Sequence, residues 1–272
     1  MARDGVAGEA SGEAWDRPDP EALAEAADVV AAARSVVVLT GAGISTAAGI
    51  PDFRGPQGLW TRNPEAERLS SLDHYLADPE VRRRSWQARL TSPVWEARPT
   101  AGHVVLVDLE HAGKLHTIVT QNTDGLHQAA GTSPDRVVEV HGTTHWVACW
   151  SCGDRTPTLT VLARVRLGEE DPHCLRPGCG GILKSATVSF GQSLDPADLD
   201  RAFLAAAEAE VLVAVGTTLE VQPVAGMVPI AVRSGRPVVI VNGSPTALDS
   251  LADVVVRGAI DEVLPVIAGV AG

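Results

Sequence analysis

Uninterrupted aliphatic runs alternate along this chain with stretches in which apolar positions recur every three or four residues. Val36-Val37-Val38-Leu39, Leu115 to Thr120, Val137 to Val140, Leu183 to Phe190, Val211 to Val215, Pro237 to Val241 and Val254 to Val256 read as strands, most of them apolar enough to be buried on both faces. Helical spacing appears from Pro20 onward at Leu23, Ala26, Ala27, Val30 and Ala31, and again over Ala101 to Ala112, where Val104, Val105, Leu106 and Leu109 share a face. Further helices are expected over Pro196 to Ala209, around Val228 to Val232, and from Asp261. A strand, helix, strand order implies a parallel sheet with helices on its faces.

Two stretches break this rhythm. Pro64 to Thr100 is rich in Arg and carries scattered Leu72, Tyr75, Leu76, Val81, Trp86 and Leu90, which reads as helices packed outside the sheet. Thr144 to Gly181 turns to Cys, Gly, Pro and Arg with little periodicity, the mark of an inserted module. The organisation expected is therefore an α/β chain: a disordered tail over 1–18, a Rossmann-like parallel-sheet unit from 19–143 and 182–272, and a smaller zinc-binding module over 144–181, joined in the small domain by the helical excursion of about 60–100.

A length of 272 residues gives ample chain to bury a core, and 45% hydrophobic content with only 4% aromatic residues suits aliphatic parallel strands. The net charge of -12 argues against broad binding to nucleic acid or to anionic membrane and leaves basic partners, such as lysine-rich tails, electrostatically welcome. Neither a signal-like N-terminus nor a long apolar run is present, so a cytoplasmic protein with no membrane span is expected. In that compartment, the four cysteines are better zinc ligands than disulfides.

Their spacing supports this. Cys149-x2-Cys152 and Cys174-x4-Cys179 are two close pairs separated by an insert of zinc-ribbon length. Four thiolates close a tetrahedron and leave no place for a catalytic water, so the site should be structural. His145 and His173 flank the pairs but are not needed as ligands.

The remaining chemistry collects where strands end. Gly41-Ala42-Gly43 follows the first strand, yet Thr46 stands where a dinucleotide fingerprint would have its third glycine. Pro51-Asp52-Phe53-Arg54-Gly55 sets a carboxylate, an aromatic face and a guanidinium beside that turn. Gln121-Asn122-Thr123-Asp124, His141-Gly142, Gly216-Thr217-Thr218 and Asn242-Gly243-Ser244 leave later strands, and in a parallel sheet all of these converge at one edge.

Taken in order, GAGIS, GIPDFRG, TQNTD, HG, the four cysteines, FGQ, GTT and VN resemble the sirtuin family of NAD-dependent protein deacylases, over nearly the whole chain from Ala31 to Leu264. The resemblance implies a Rossmann-like domain, a small zinc-binding domain, and a cleft between them for NAD and an acyl-lysine peptide. It assigns Gly41, Ala42, Gly43, Ser45 and Arg54 to the phosphates and nearby ribose, and Asp52 and Phe53 to the nicotinamide pocket. Gln121, Asn122 and Asp124 would position the nicotinamide ribose and carboxamide, with Asn122 and Asp124 counted beside His141 as catalytic. Gly216, Thr217, Thr218, Asn242, Gly243 and Ser244 would take the adenosine end. His141 matches the general base, which would activate a ribose hydroxyl after nicotinamide departs, giving free lysine and O-acyl-ADP-ribose. The peptide would lie extended between Ser189-Phe190-Gly191 and Leu219-Glu220-Val221, with Val188 and Phe190 walling the acyl-lysine tunnel.

Some positions depart from the commonest pattern: Lys184-Ser185-Ala186-Thr187-Val188 lacks a proline, Gln192 replaces Glu, Thr123 replaces an aliphatic residue and Thr218 replaces Ser. Trp86-Gln87-Ala88-Arg89 has no Tyr to pair with its Arg in clamping an acyl carboxylate, so weak desuccinylation is expected. Mono-ADP-ribosyl transfer or NAD hydrolysis in the same site is the alternative reaction. A non-catalytic NAD or ADP-ribose sensor is the alternative of another class, against which the presence of His141, Asn122 and Asp124 counts.

Overall fold

In the computed structural model, residues 17–52, 58 and 70–269 are described. Phe53 and Arg54, and most of the expected tail, lie outside them.

The larger sheet contains β1 (Val36–Thr40), β2 (Leu115–Thr120), β3 (Val137–Glu139), β7 (Val211–Val215), β8 (Val238–Val241) and β9 (Val254–Val256), all parallel, in the order β3-β2-β1-β7-β8-β9. Every residue of β1, β7 and β8 is buried, as their unbroken aliphatic runs require. Alternate side chains feed two separate cores. Val36 and Val38 pack with Val30, Val105, Leu106, Leu109 and Leu264 from the helices Pro20–Ala32, Ala101–His111 and Ile260–Ile267. Val37 and Leu39 pack with Ala202, Ala206, Met227 and Val228 from the helices Pro196–Glu208 and Met227–Arg233 on the other face.

A smaller antiparallel sheet has the order β5-β4-β6, from β4 (Gly142–Cys149), β5 (Arg155–Pro157) and β6 (Leu183–Thr187). Here the structure differs from the sequence-based expectation in two ways. Leu183 to Phe190, expected to return the chain to the larger unit, instead supplies β6 to the small sheet. A short apolar run does not encode its partner, and β6 finds it in β4. The Cys-rich module also holds a helix, Thr158–Arg166, whose Val161, Leu162 and Val165 join Trp86, Val147 and Leu183 in a third core. Trp86 comes from the helix Pro79–Leu90, so this part of the Arg-rich excursion packs on the small sheet, while 64–69 lies outside the described residues. Arg82, almost fully buried, reaches from that helix to Asp171 at 2.9 Å and to the carbonyls of Tyr75 and Leu76.

Candidate functional site

In chain order the strands of the larger sheet run 3-2-1-4-5-6, with the reversal between β1 and β7; a crevice at the carboxyl ends of such a pair is where open α/β sheets bind ligands. The turns leaving these two strands interlock. Gly41 N-H donates to Val215 O (3.0 Å) and Gly43 N-H to Gly216 O (2.9 Å). A Cβ on Gly41 would stand 2.6 Å from Gly216 O, and one on Gly43 would stand 2.7 Å from Gly216 Cα. Thus these glycines admit the neighbouring turn, a close approach that a side chain would block. Thr46 is exposed, its hydroxyl donating to Gly43 O at 3.0 Å, so a third glycine at that position would relieve no contact.

Gly216 is doubly constrained, with φ +63° and an added Cβ 2.6 Å from the backbone nitrogen of Ile44. Gly216→Ala is therefore expected to lower unfolding stability by more than about 2 kcal/mol, combining left-handed strain with overpacking. Denaturant titration measures this, and a variant as stable as the parent would refute the interlock.

Behind the 41–45 turn lies a buried polar layer. Ser45 Oγ donates to Asp124 Oδ2 at 2.7 Å, and Asn122 Nδ2 donates to both Gly41 O and Ser45 Oγ at 3.1 Å. Asp124 Oδ1 also accepts the amide of Leu126, opening the helix Leu126–Ala130. Ser45, Asn122 and Asp124 are all at most 8% exposed. These side chains, expected from the motif to contact the dinucleotide, hydrogen-bond one another behind the turn, and Ser45 is wholly buried.

Gln121, in the same loop, joins two elements. Its side chain donates to Thr217 Oγ1 at 2.9 Å, and its carbonyl meets His141 Nδ1 at 3.0 Å. A carbonyl can only accept, so the neutral His141 ring carries its proton on Nδ1 and leaves Nε2 as a base. Burial pushes the His141 pKa below the ordinary imidazole value, partly opposed by that hydrogen bond. Gly142 must follow it: its φ is +72° and a Cβ would come 2.0 Å from Ala186 O. His145, a flank of the cysteine pairs, donates from Nε2 to Asp124 O at 2.7 Å and so ties the small sheet to the polar loop. His173 likewise donates to Gly180 O at 2.8 Å. Neither belongs to the clustered cysteines.

At the far end, Asn242 Nδ2 donates to Ser244 O at 2.8 Å, while Arg257, unremarkable in sequence, donates to Asn242 O and pairs with Asp249. Beyond Thr217 and Thr218, Leu219 has φ +57°, the one non-glycine residue with positive φ among the described residues; its amide binds Thr217 Oγ1 at 3.2 Å and it delivers exposed Glu220 and half-buried Val221. Val188 N-H donates to His141 O at 2.8 Å, joining His141 to the expected peptide edge. Phe190 is 40% exposed, but its backbone is already paired, N-H to Ser70 O (2.9 Å) and C=O to Leu72 N (3.0 Å). Ser189 is engaged as well, its N-H donating to Gln192 Oε1 at 3.3 Å and its C=O accepting the Gln192 amide at 2.9 Å, so a strand added along this segment has to displace Gln192.

The sulfur atoms of Cys149, Cys152, Cys174 and Cys179 lie within 4.8 Å of one another, with Cys149 to Cys179 at 3.6 Å and Cys152 to Cys174 at 3.8 Å. Sulfurs at about 2.3 Å from a tetrahedral zinc stand about 3.8 Å apart, so this donor set fits the ion and is positioned to bind it.

A model of the Sir2 family matches residues 41–223. The chain is 50% identical over 230 residues to NAD-dependent protein deacetylase 2 of Streptomyces coelicolor, covering 85% of this chain and 95% of that protein. It is 39% identical over 247 residues to an NAD-dependent protein deacetylase of Sulfolobus acidocaldarius, covering 90% and 93%. Among solved structures, a Sir2 protein with a p53 peptide and NAD+ superposes with a TM-score of 0.78 at 32% identity, covering 88% of this chain and 93% of that one. A Sir2 protein bound to acetylated peptide gives 0.79 at 30% identity, covering 92% and 99%.

Proposed function

The chain belongs to the Sir2 family, and from that premise we propose how its cleft divides the work. It is an NAD-dependent protein-lysine deacylase, with NAD as co-substrate and acylated-lysine peptides as substrates. When bound, NAD supplies an anomeric carbon that takes up the acyl oxygen as nicotinamide leaves. The 41–45 turn, held by Ser45, Asn122 and Asp124, receives the phosphates, and Gly216, Thr217, Thr218, Asn242, Gly243 and Ser244 border the adenosine. The acyl-lysine peptide adds as a strand between the Ser189-Phe190-Gly191 segment, once Gln192 releases Ser189, and the Leu219-Glu220-Val221 segment, with Val188 and Phe190 beside the acyl chain.

His141 is the general base. The observation that carries this role is its Nδ1 bond to Gln121 O, which leaves Nε2 free to accept a ribose hydroxyl proton, while burial favours the uncharged ring. Roles for Asp52, Phe53 and Arg54 follow from the motif alone.

The activity resides in the cytoplasm on this reading, which draws on two observations. No helix among the described residues is long and apolar enough to cross a membrane, and the four cysteines are free thiols gathered around one point.

A panel of acyl-lysine peptides incubated with and without NAD, read by mass spectrometry, tests the function. NAD-dependent loss of the acyl group with formation of O-acyl-ADP-ribose is expected, with succinyl-lysine cleaved more slowly than acetyl-lysine. NAD consumption with the acyl group retained would replace deacylation by hydrolysis or ADP-ribosyl transfer.

A further inference from the structure

Beneath the 41–45 turn, two histidines that the mechanism leaves unused sit in the interior, His103 with 0% and His127 with 1% of its surface exposed. Their rings pack at a centroid distance of 4.8 Å with a 55° tilt. His127 Nε2 meets the hydroxyl of Thr40 at 3.0 Å, and Thr40 is the last residue of β1, immediately before Gly41. On the other side, His103 Nδ1 accepts the amide of Thr100 at 3.2 Å and lies 3.0 Å from its hydroxyl. That hydroxyl donates to Ile44 O at 3.1 Å. Two polar links, joined to each other by the packed rings, thus run from the residue entering the turn to a carbonyl inside it.

Each ring also keeps one buried nitrogen, His103 Nε2 and His127 Nδ1, without a hydrogen-bond partner among the described residues. Leaving such atoms unpaired costs free energy that an apolar residue of similar size would avoid, so packing alone does not account for two imidazoles here.

We propose that His103 and His127 are positioning residues for the dinucleotide: as uncharged rings they brace the 41–45 turn from beneath and hold its backbone in the shape that receives NAD. Resting on the assignment of that turn to NAD, the inference adds two residues that touch neither co-substrate nor peptide. The groups facing the rings agree with an uncharged pair. Asp124 and Asp261 draw His103 upward, but burial outweighs them and keeps its pKa below the usual imidazole value; burial and the His103 ring together hold His127 at about 3.

Thr40→Val tests the brace, since valine preserves shape inside a strand of valines and removes only the hydroxyl that His127 meets. Calorimetric titration should show NAD affinity lowered about tenfold, the usual consequence of losing a buried hydrogen bond. The KM for acyl-peptide should stay unchanged, and Thr40→Ser should restore NAD affinity. Affinity in Thr40→Val within about twofold of the parent would overturn the proposal, because a purely structural hydroxyl would change stability alone. Imidazole nitrogen NMR of the unaltered protein gives a second test that needs no variant. Both rings should titrate below the ordinary histidine value, with the neutral His103 ring carrying its proton on Nε2, and either ring titrating near that ordinary value would overturn the proposal. A parent protein that binds NAD yet transfers no acyl group would refute the deacylase reading and leave the brace standing.

Discussion

His141→Ala is expected to lower deacylation by roughly two to four orders of magnitude, the range a positioned general base contributes. The protein should stay folded and keep its affinity for NAD. His141 is partly exposed, and its ring is hydrogen-bonded to a backbone carbonyl, that of Gln121, just beyond the end of β2. Nicotinamide exchange, which precedes the step assigned to this base, should fall much less than acyl transfer. The pH dependence follows from the same ring. Catalysis requires the unprotonated form, so kcat/KM should drop as pH falls through the His141 pKa. Burial sets that pKa below the ordinary imidazole value, and the acid limb should lie correspondingly low. A pH profile of the parent and a product assay of the variant check both points. Deacylation that persists at the parental rate in His141→Ala would remove this residue from the chemistry.

Much of this site can be read along the chain because its parts are local signals. An aliphatic run ending in glycine or in Gln-Asn-x-Asp marks a strand end whatever the tertiary context, and β1, β2, β7 and β9 begin and end within a residue of where their aliphatic patterns do. The zinc cluster is legible for the same reason, since its two pairs are close in sequence. What escapes is chemistry made by distant partners. Nothing in the local sequence sets His103 and His127 apart, and the fold brings Thr40, 87 positions from His127, within hydrogen-bond reach. The hydrogen bond between Ser45 and Asp124, 79 positions apart, is likewise invisible in the motifs that contain them. The membership of β6 is not legible because sheet partnership depends on register with β4, and the glycines and prolines around the helix Thr158–Arg166 hide its periodicity. The interlock of Gly43 with Gly216 has a signal in hindsight: a glycine after each of two adjacent strands predicts that their turns approach closely.

Removing metal from the cysteine cluster should have a selective and large effect, because the cluster is built into one core and absent from the other two. Cys149 and Cys174 are buried members of the core that contains Trp86, Val147, Leu162 and Leu183, whereas the cores flanking the parallel sheet contain no cysteine. A structural zinc contributes on the order of 10 kcal/mol to folding a small domain, comparable with the whole stability of an ordinary domain, about 5–15 kcal/mol. Chelation, or Cys152→Ser, is therefore expected to unfold β4, β5 and β6 while leaving the parallel sheet intact. Hydrogen exchange would then show amides of Val147 and Leu183 unprotected and those of Val38 and Val213 still protected. Deacylation should be lost with the small sheet even though zinc supplies no chemistry. β6 leads directly into Val188, whose amide holds the carbonyl of His141, and His145 fastens Asp124 from the same sheet. Melting these strands thus releases the peptide edge and the base together. Metal analysis should find one zinc per chain in the active protein, and a zinc-free protein that kept both its small sheet and its activity would show the four thiols to be bystanders.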